Sequence, residues 1–124
     1  MYKIYLPITK DKKSSIHGLW SDKGRTYFDK IRIVNTFIMN EAVRDELCRK
    51  YNQLALFYTD IDGVGFCYDN RAKTLTKYTE RLTVRHSQKA SLKDVIKKTL
   101  KAYGGLTIYK EVNDYIIEVY HNKK

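Results

Sequence analysis

Ser91-Leu92-Lys93-Asp94-Val95-Ile96-Lys97-Lys98-Thr99-Leu100-Lys101-Ala102-Tyr103-Gly104-Gly105 is the stretch whose reading decides the fold. Leu92, Val95, Ile96, Thr99, Leu100 and Tyr103 recur at intervals of three and four, which is one face of an α-helix. Ser91 and Asp94 stand at capping-box spacing, with Asp in the place of the usual Glu. Gly104-Gly105 stops the helix. The composition then changes: Leu106–Lys110 and Tyr115–Tyr120 are β-forming runs around Val112-Asn113-Asp114, a closing hairpin. A helix with one apolar stripe must bury it, and adjacent strands with short turns offer an antiparallel sheet to bury it on.

Working outward from this helix, Thr74 to His86 is rich in β-formers and predicts a long strand, or two strands with a bend, after a turn at Asn70-Arg71-Ala72-Lys73. Leu54–Thr59 and Val64–Tyr68 are short apolar strands joined by Asp60-Ile61-Asp62-Gly63. Asn40 is placed to cap a second helix, from Glu41 to about Tyr51, along which Val43, Leu47 and Tyr51 recur at helical spacing. Ile16–Trp20 and Thr26–Val34 predict two strands about the turn Ser21-Asp22-Lys23-Gly24. At the start, Tyr2, Ile4, Leu6 and Ile8 alternate with Lys3, Tyr5, Pro7 and Thr9, the period of an amphipathic strand, with Pro7 marking an edge or a turn. The expectation is one α+β domain over residues 1–124, a mostly antiparallel sheet with two helices.

Size and composition agree with a folded domain: 124 residues, of which 43% are apolar or aromatic. No apolar run approaches the roughly 20 residues of a membrane-spanning helix, so no membrane partner is expected. Residues 1–7 lack the pattern of a signal peptide. Cys48 and Cys67 each lie in an apolar stretch and share no metal-ligand spacing with the histidines. Both are predicted as buried free thiols, which suits a reducing cytoplasm.

The charge is the most informative feature. Lys and Arg number 24 against 14 Asp and Glu, a net of +10. Residues 1–70 carry eleven basic and nine acidic side chains, whereas Arg71 to Lys101 holds ten basic residues against Glu80 and Asp94 alone. A concentrated positive field attracts polyanions; a solvated, solubilising face would show the same run.

Catalytic signatures are weak by comparison. Phe57-Tyr58-Thr59-Asp60-Ile61-Asp62-Gly63-Val64 is similar to the opening motif of the haloacid dehalogenase phosphatases, but the element order and remaining length do not suit that family. A hairpin turn accounts for the same residues. His17, His86 and His121 form no metal pair, and neither a P-loop nor a dinucleotide fingerprint is present. No catalytic residue, metal or cofactor is therefore expected, although a small metal-independent nuclease built from Arg, Lys, His and Tyr stays open.

Two segments fit anion binding. His17-Gly18-Leu19-Trp20-Ser21-Asp22-Lys23-Gly24-Arg25 gathers His17, Trp20, Lys23 and Arg25 about one turn. Here an aromatic face would stack on a base and Arg would fork onto a phosphate. From Lys77 to Lys89, a regular strand would set Lys77, Arg81 and Arg85 on one face with Thr79 and Thr83 between them, then lead through His86 and Lys89 to a helix start, itself an anion-favouring place.

Tyr5-Leu6-Pro7-Ile8, Trp20-Ser21-Asp22-Lys23-Gly24-Arg25-Thr26-Tyr27 and Tyr103-Gly104-Gly105 with the terminal hairpin, in a short, basic, Lys- and Tyr-rich chain, resemble the first family of phage Thoeris anti-defence sponge proteins. That resemblance implies a non-catalytic homo-oligomer that sequesters a phosphate-bearing nucleotide signal, a cyclic ADP-ribose isomer or a cyclic oligonucleotide, in the host cytoplasm. The alternative is a nucleic-acid-binding or anti-CRISPR protein using the same basic face.

Overall fold

The computed structural model describes residues 1–7, 16–22, 24–86, 91–103, 106–111 and 115–122. Nine strands and two helices occur among them: β1 (Tyr2–Leu6), β2 (Ile16–Asp22), β3 (Arg25–Thr36), α1 (Glu41–Lys50), β4 (Ala55–Thr59), β5 (Gly65–Asp69), β6 (Thr74–Lys77), β7 (Glu80–His86), α2 (Leu92–Tyr103), β8 (Leu106–Glu111) and β9 (Tyr115–His121). The pairings described below are all antiparallel. The fold is α+β. No described helix is long and apolar enough to cross a membrane.

The chain forms two compact units. The first holds Met1–Leu6 and Ile33–Tyr78, the second Pro7–Arg32 and Thr79–Lys124. β3 contributes to both, with residues 25–32 in the second and 33–36 in the first.

In the first unit β4 lies between β1 and β5, and β6 adds to the far side of β5. Alternation along β1 sends Ile4 and Leu6 into the core, both wholly buried. Leu56, Tyr58 and Tyr68 join them, with Cys48 from α1. Asn40 caps α1 as its sequence position suggests: its Oδ1 accepts the Val43 amide at 2.9 Å. One polar clamp ties the helix to the sheet. The Tyr68 hydroxyl donates to Asp45 at 2.5 Å, and Lys73 Nζ reaches the same carboxylate at 3.0 Å. Arg44 lies over the Tyr68 ring at 5.1 Å. The hydrogen bonds from Tyr68 and Lys73 hold Asp45 below the usual carboxylate range, and the same bond to Asp45 pushes the Tyr68 phenol up.

In the second unit the strand order is β3, β2, β8, β9, β7. α2 covers one face of this sheet. Leu19, Ile117 and Val119 meet Val95 and Ile96 of the helix, all at most 4% exposed, with Phe28, Leu82 and Val84 packed at the margin. Ser91 caps the helix: the Asp94 amide donates to Ser91 Oγ, and the Asp94 carboxylate accepts from the Ser91 hydroxyl rather than from the backbone amide that a full capping box uses. Burying a side chain the size of Ile contributes about 1.5–3 kcal/mol, so these few apolar contacts dominate the attachment of α2.

Both cysteines are free thiols. Cys48 is buried, while Cys67 is only partly covered. Ile96→Ala is expected to destabilise the protein by about 2–5 kcal/mol. Loss of the α1 cap in Asn40→Ala should cost about 1 kcal/mol. Urea denaturation of the two variants beside the parent measures both, and a loss for Ile96→Ala no larger than that for the exposed cap would refute the central place given to the α2 interface.

Candidate functional site

Period two decides which side chains share a surface of the second unit. Leu19 faces α2, so its neighbours Gly18 and Trp20 face away. Leu82 and Val84 face α2, so Arg81, Thr83 and Arg85 face away, and all three are exposed. Register carries the same face across to β3, where Trp20 opposes Tyr27 and Gly18 opposes Asp29. The face turned away from the helix therefore has an aromatic end and a basic end, with Gly18, Ile31 and Tyr120 buried on the same face between exposed residues. The backbones of β2 and β7 are three strand spacings apart, or about 14 Å.

At the aromatic end the Trp20 and Tyr27 rings stack across the strand pair, with centroids 6.2 Å apart and planes 22° from parallel. Gly18 gives the indole its room. A Cβ there would come within 3.2 Å of Trp20 Cζ3 and equally close to Ile31 Cδ1. Gly24, at φ 77°, serves the turn that closes this hairpin. Arg25 is exposed at the start of β3, in register with Asp22.

The basic end also carries a carboxylate. Glu118 on β9 is the register partner of Thr83, which puts it between the diagonals to Arg81 and Arg85. Tyr120 donates to its Oε2 at 2.8 Å. Two guanidiniums and one anchored carboxylate leave a net positive row on β7. Asp29, nearer the aromatic end, is partly buried, and that desolvation pushes its carboxyl above the usual range.

The nine residues singled out in the sequence are distributed as follows. Trp20, Arg81 and Arg85 are brought to one face, with Arg25 at the end of the same hairpin. His17 is not. It is 7% exposed, on the α2 side of β2, with its ring stacked on Phe28 at 5.2 Å, and Lys93 of α2 reaches the other partner of that stack. Alternation explains the difference, since His17 and Trp20 are an odd number of residues apart on one strand. Lys77 is exposed at the end of β6 in the first unit, in register with Phe66, so it does not share a strand with Arg81. His86 ends β7 in register with Tyr115. Lys23 and Lys89 lie outside the described residues.

Tyr27 and Glu118 were not picked out by sequence reasoning as part of a site. Tyr27 follows from the β2–β3 register, in which β2 runs on to Asp22 and β3 starts at Arg25, so Ser21 and Asp22 are strand rather than the turn expected over Ser21-Asp22-Lys23-Gly24. Glu118 required the β7–β9 pairing, which sets it opposite Thr83, a residue far back along the chain.

The dehalogenase-like segment resolves as a turn. Asp60 Oδ1 accepts the amides of Asp62 and Val64, each at 2.9 Å, and Gly63 adopts φ 80°. The carboxylate that would act as nucleophile is occupied in closing the β4–β5 hairpin.

Comparison of the chain with protein-family models, curated proteins and solved structures finds no significant match.

Asp29 yields a pH test. Its raised carboxyl means that ionised Asp29 opposes folding at neutral pH, and the penalty fades as pH falls through the raised folded value towards the ordinary one. Asp29→Asn is therefore expected to be more stable than the parent at neutral pH, with the advantage vanishing below about pH 4. Urea midpoints measured across this range check the sign; a gap that did not change with pH would show that ionisation is not its origin.

Proposed function

We propose that this chain binds a phosphate-bearing nucleotide, without turning it over, on the face of the second unit turned away from α2. The observation that carries this reading is the stacked pair Trp20 and Tyr27 on the same sheet face as Arg81, Thr83 and Arg85. A nucleotide needs a flat apolar surface for its base and charged donors for its phosphates. An aromatic platform contributes about 1–3 kcal/mol per stacked base, and guanidinium forks bind phosphate oxygens through paired, charge-assisted hydrogen bonds. Thr83 adds a hydroxyl between the two forks.

The distribution of charge supports the same unit. The second unit holds seventeen basic against eight acidic residues, a net of +9, while the first holds seven against six, a net of +1. Almost all of the field that would attract an anion thus belongs to the unit that carries the aromatic and basic face. In a cell, saturable capture of this kind would deplete a nucleotide signal such as a cyclic ADP-ribose isomer or a cyclic oligonucleotide, the role that the resemblance to anti-defence sponge proteins implies.

A nucleic-acid strand is the second ligand class, and one observation favours it. Arg81, Thr83 and Arg85 are exposed in a line along β7, the last strand of the second unit's sheet, an arrangement that can follow a phosphodiester backbone.

Trp20 is the chain's only tryptophan, so its fluorescence reports directly on this face. Cyclic ADP-ribose isomers and cyclic dinucleotides are expected to change that emission saturably, and the double variant Arg81→Ala, Arg85→Ala to bind them at least tenfold more weakly (about 1.5–3 kcal/mol for each charged contact) with an unchanged circular dichroism spectrum. Nucleotide binding that survives the double change would remove the proposal. Emission that ignores nucleotides but responds to a short oligodeoxythymidylate, with affinity falling steeply as salt rises, would assign the face to nucleic acid.

A further inference from the structure

The first unit carries a surface that the nucleotide reading leaves unused. Phe37 and Ile38, between β3 and α1, are 82% and 63% exposed. Beside them runs a groove of about 430 Å³ whose other wall is α1. Val43, Glu46, Leu47 and Lys50 line it from the helix. They are spaced at three, four and seven residues, one stripe of α1, on the side away from buried Cys48. Two large apolar side chains held in water next to an apolar groove are costly to a chain that stays alone.

We propose that this groove is where two copies of the chain associate about a two-fold axis. The inference goes beyond nucleotide binding and does not depend on it. Three features point to a second copy as the occupant. The surface holds both a projecting group, Phe37, and a recess walled by Val43 and Leu47, and a two-fold contact requires such self-complementarity on a single patch. The groove also carries one anion and one cation on the same helix. A two-fold partner turned antiparallel sets its Lys50 beside Glu46 and its Glu46 beside Lys50, so that each copy supplies both halves of two equivalent ion pairs. Finally, the first unit is close to neutral, at +1, whereas contact through the second unit would press two units of +9 together. Self-association through the first unit avoids bringing those charges into the contact and uses none of the residues of the basic face.

The occupant can be tested by reversing charges. Sedimentation velocity over a range of concentrations should show the parent chain in monomer–dimer equilibrium. Phe37→Asp, at a position exposed enough not to disturb folding, should raise the dimer dissociation constant by about thirtyfold or more, as for the loss of an interface anchor. Glu46→Lys and Lys50→Glu should each weaken the homodimer, because each makes both inter-copy pairs repulsive. An equimolar mixture of these two variants should form a heterodimer tighter than either homodimer, since every Lys then meets a Glu. A parent chain that is monomeric at every concentration overturns the proposal. So does a dimer indifferent to Phe37→Asp and to both charge reversals, which would place self-association on another surface. Recovery of dimer in the mixture alone separates a two-fold contact from a general effect of charge.

Discussion

The organisation of the second unit depends on the burial of the Val95–Ile96 stripe of α2 against one face of its sheet. A strand has two faces and a period of two, so fixing which residues meet the helix fixes everything on the other side. Leu19, Leu82, Val84, Ile117 and Val119 are claimed by the helix. Trp20, Arg81, Thr83 and Arg85 are then committed to the opposite surface, whatever their own preferences. The candidate site is thus a consequence of hydrophobic packing rather than of attraction among its members, and Arg81 and Arg85 gain a rigid base without packing their own charged ends. A one-residue slip of β7 would send both arginines into the core, and the cost of that burial guards the register.

The same constraint explains what could be read from the sequence and what could not. The helix beginning at Ser91 was legible because cap, periodicity and apolar stripe all lie within thirteen residues. So were the pairing of β2 with β3, though β2 runs two residues into the turn expected over Ser21-Asp22-Lys23-Gly24, and the α1 cap at Asn40, both set by local geometry. The break between β6 and β7 was not determined in this way. Thr74 to His86 is β-forming throughout, and the sequence admitted either one long strand or two. The division follows from partners far along the chain: Tyr78 donates its amide to Gly65, and the next amide, of Thr79, is taken by the side chain of Asn122. β6 then completes the first unit's sheet through β5, while β7 pairs with β9 in the second. Lys77 and Arg81, four residues apart, consequently belong to different units.

His17 shows the limit of reading a site from neighbouring residue types. Its place three residues before Trp20 suggested a shared turn, but β2 continues to Asp22 and the strand runs through both residues. An odd separation on a strand divides them between faces. The ring instead fills a layer with Phe28 beneath Lys93. A histidine in a basic, aromatic segment is here part of the helix-covered side. Tyr27 shows the converse: a residue with no claim from its own neighbours becomes half of an aromatic platform because hairpin register sets it opposite Trp20.

Charge divides along the same boundary as the fold. A net of +10 averaged over the chain would suggest a uniformly basic protein that repels copies of itself. Partition by unit replaces that average with +1 and +9. The Debye length at physiological salt is about 8 Å, so a contact surface responds mainly to the charges of its own unit. On the proposed reading, capture of an anion and contact between copies would draw on different units. The excess charge thus belongs to the unit with the aromatic and basic face, and the apolar groove belongs to the near-neutral unit. Chain topology achieves this separation: residues 7–32 and 79–124, carrying nearly all of the excess, fold together although residues 33–78 lie between them.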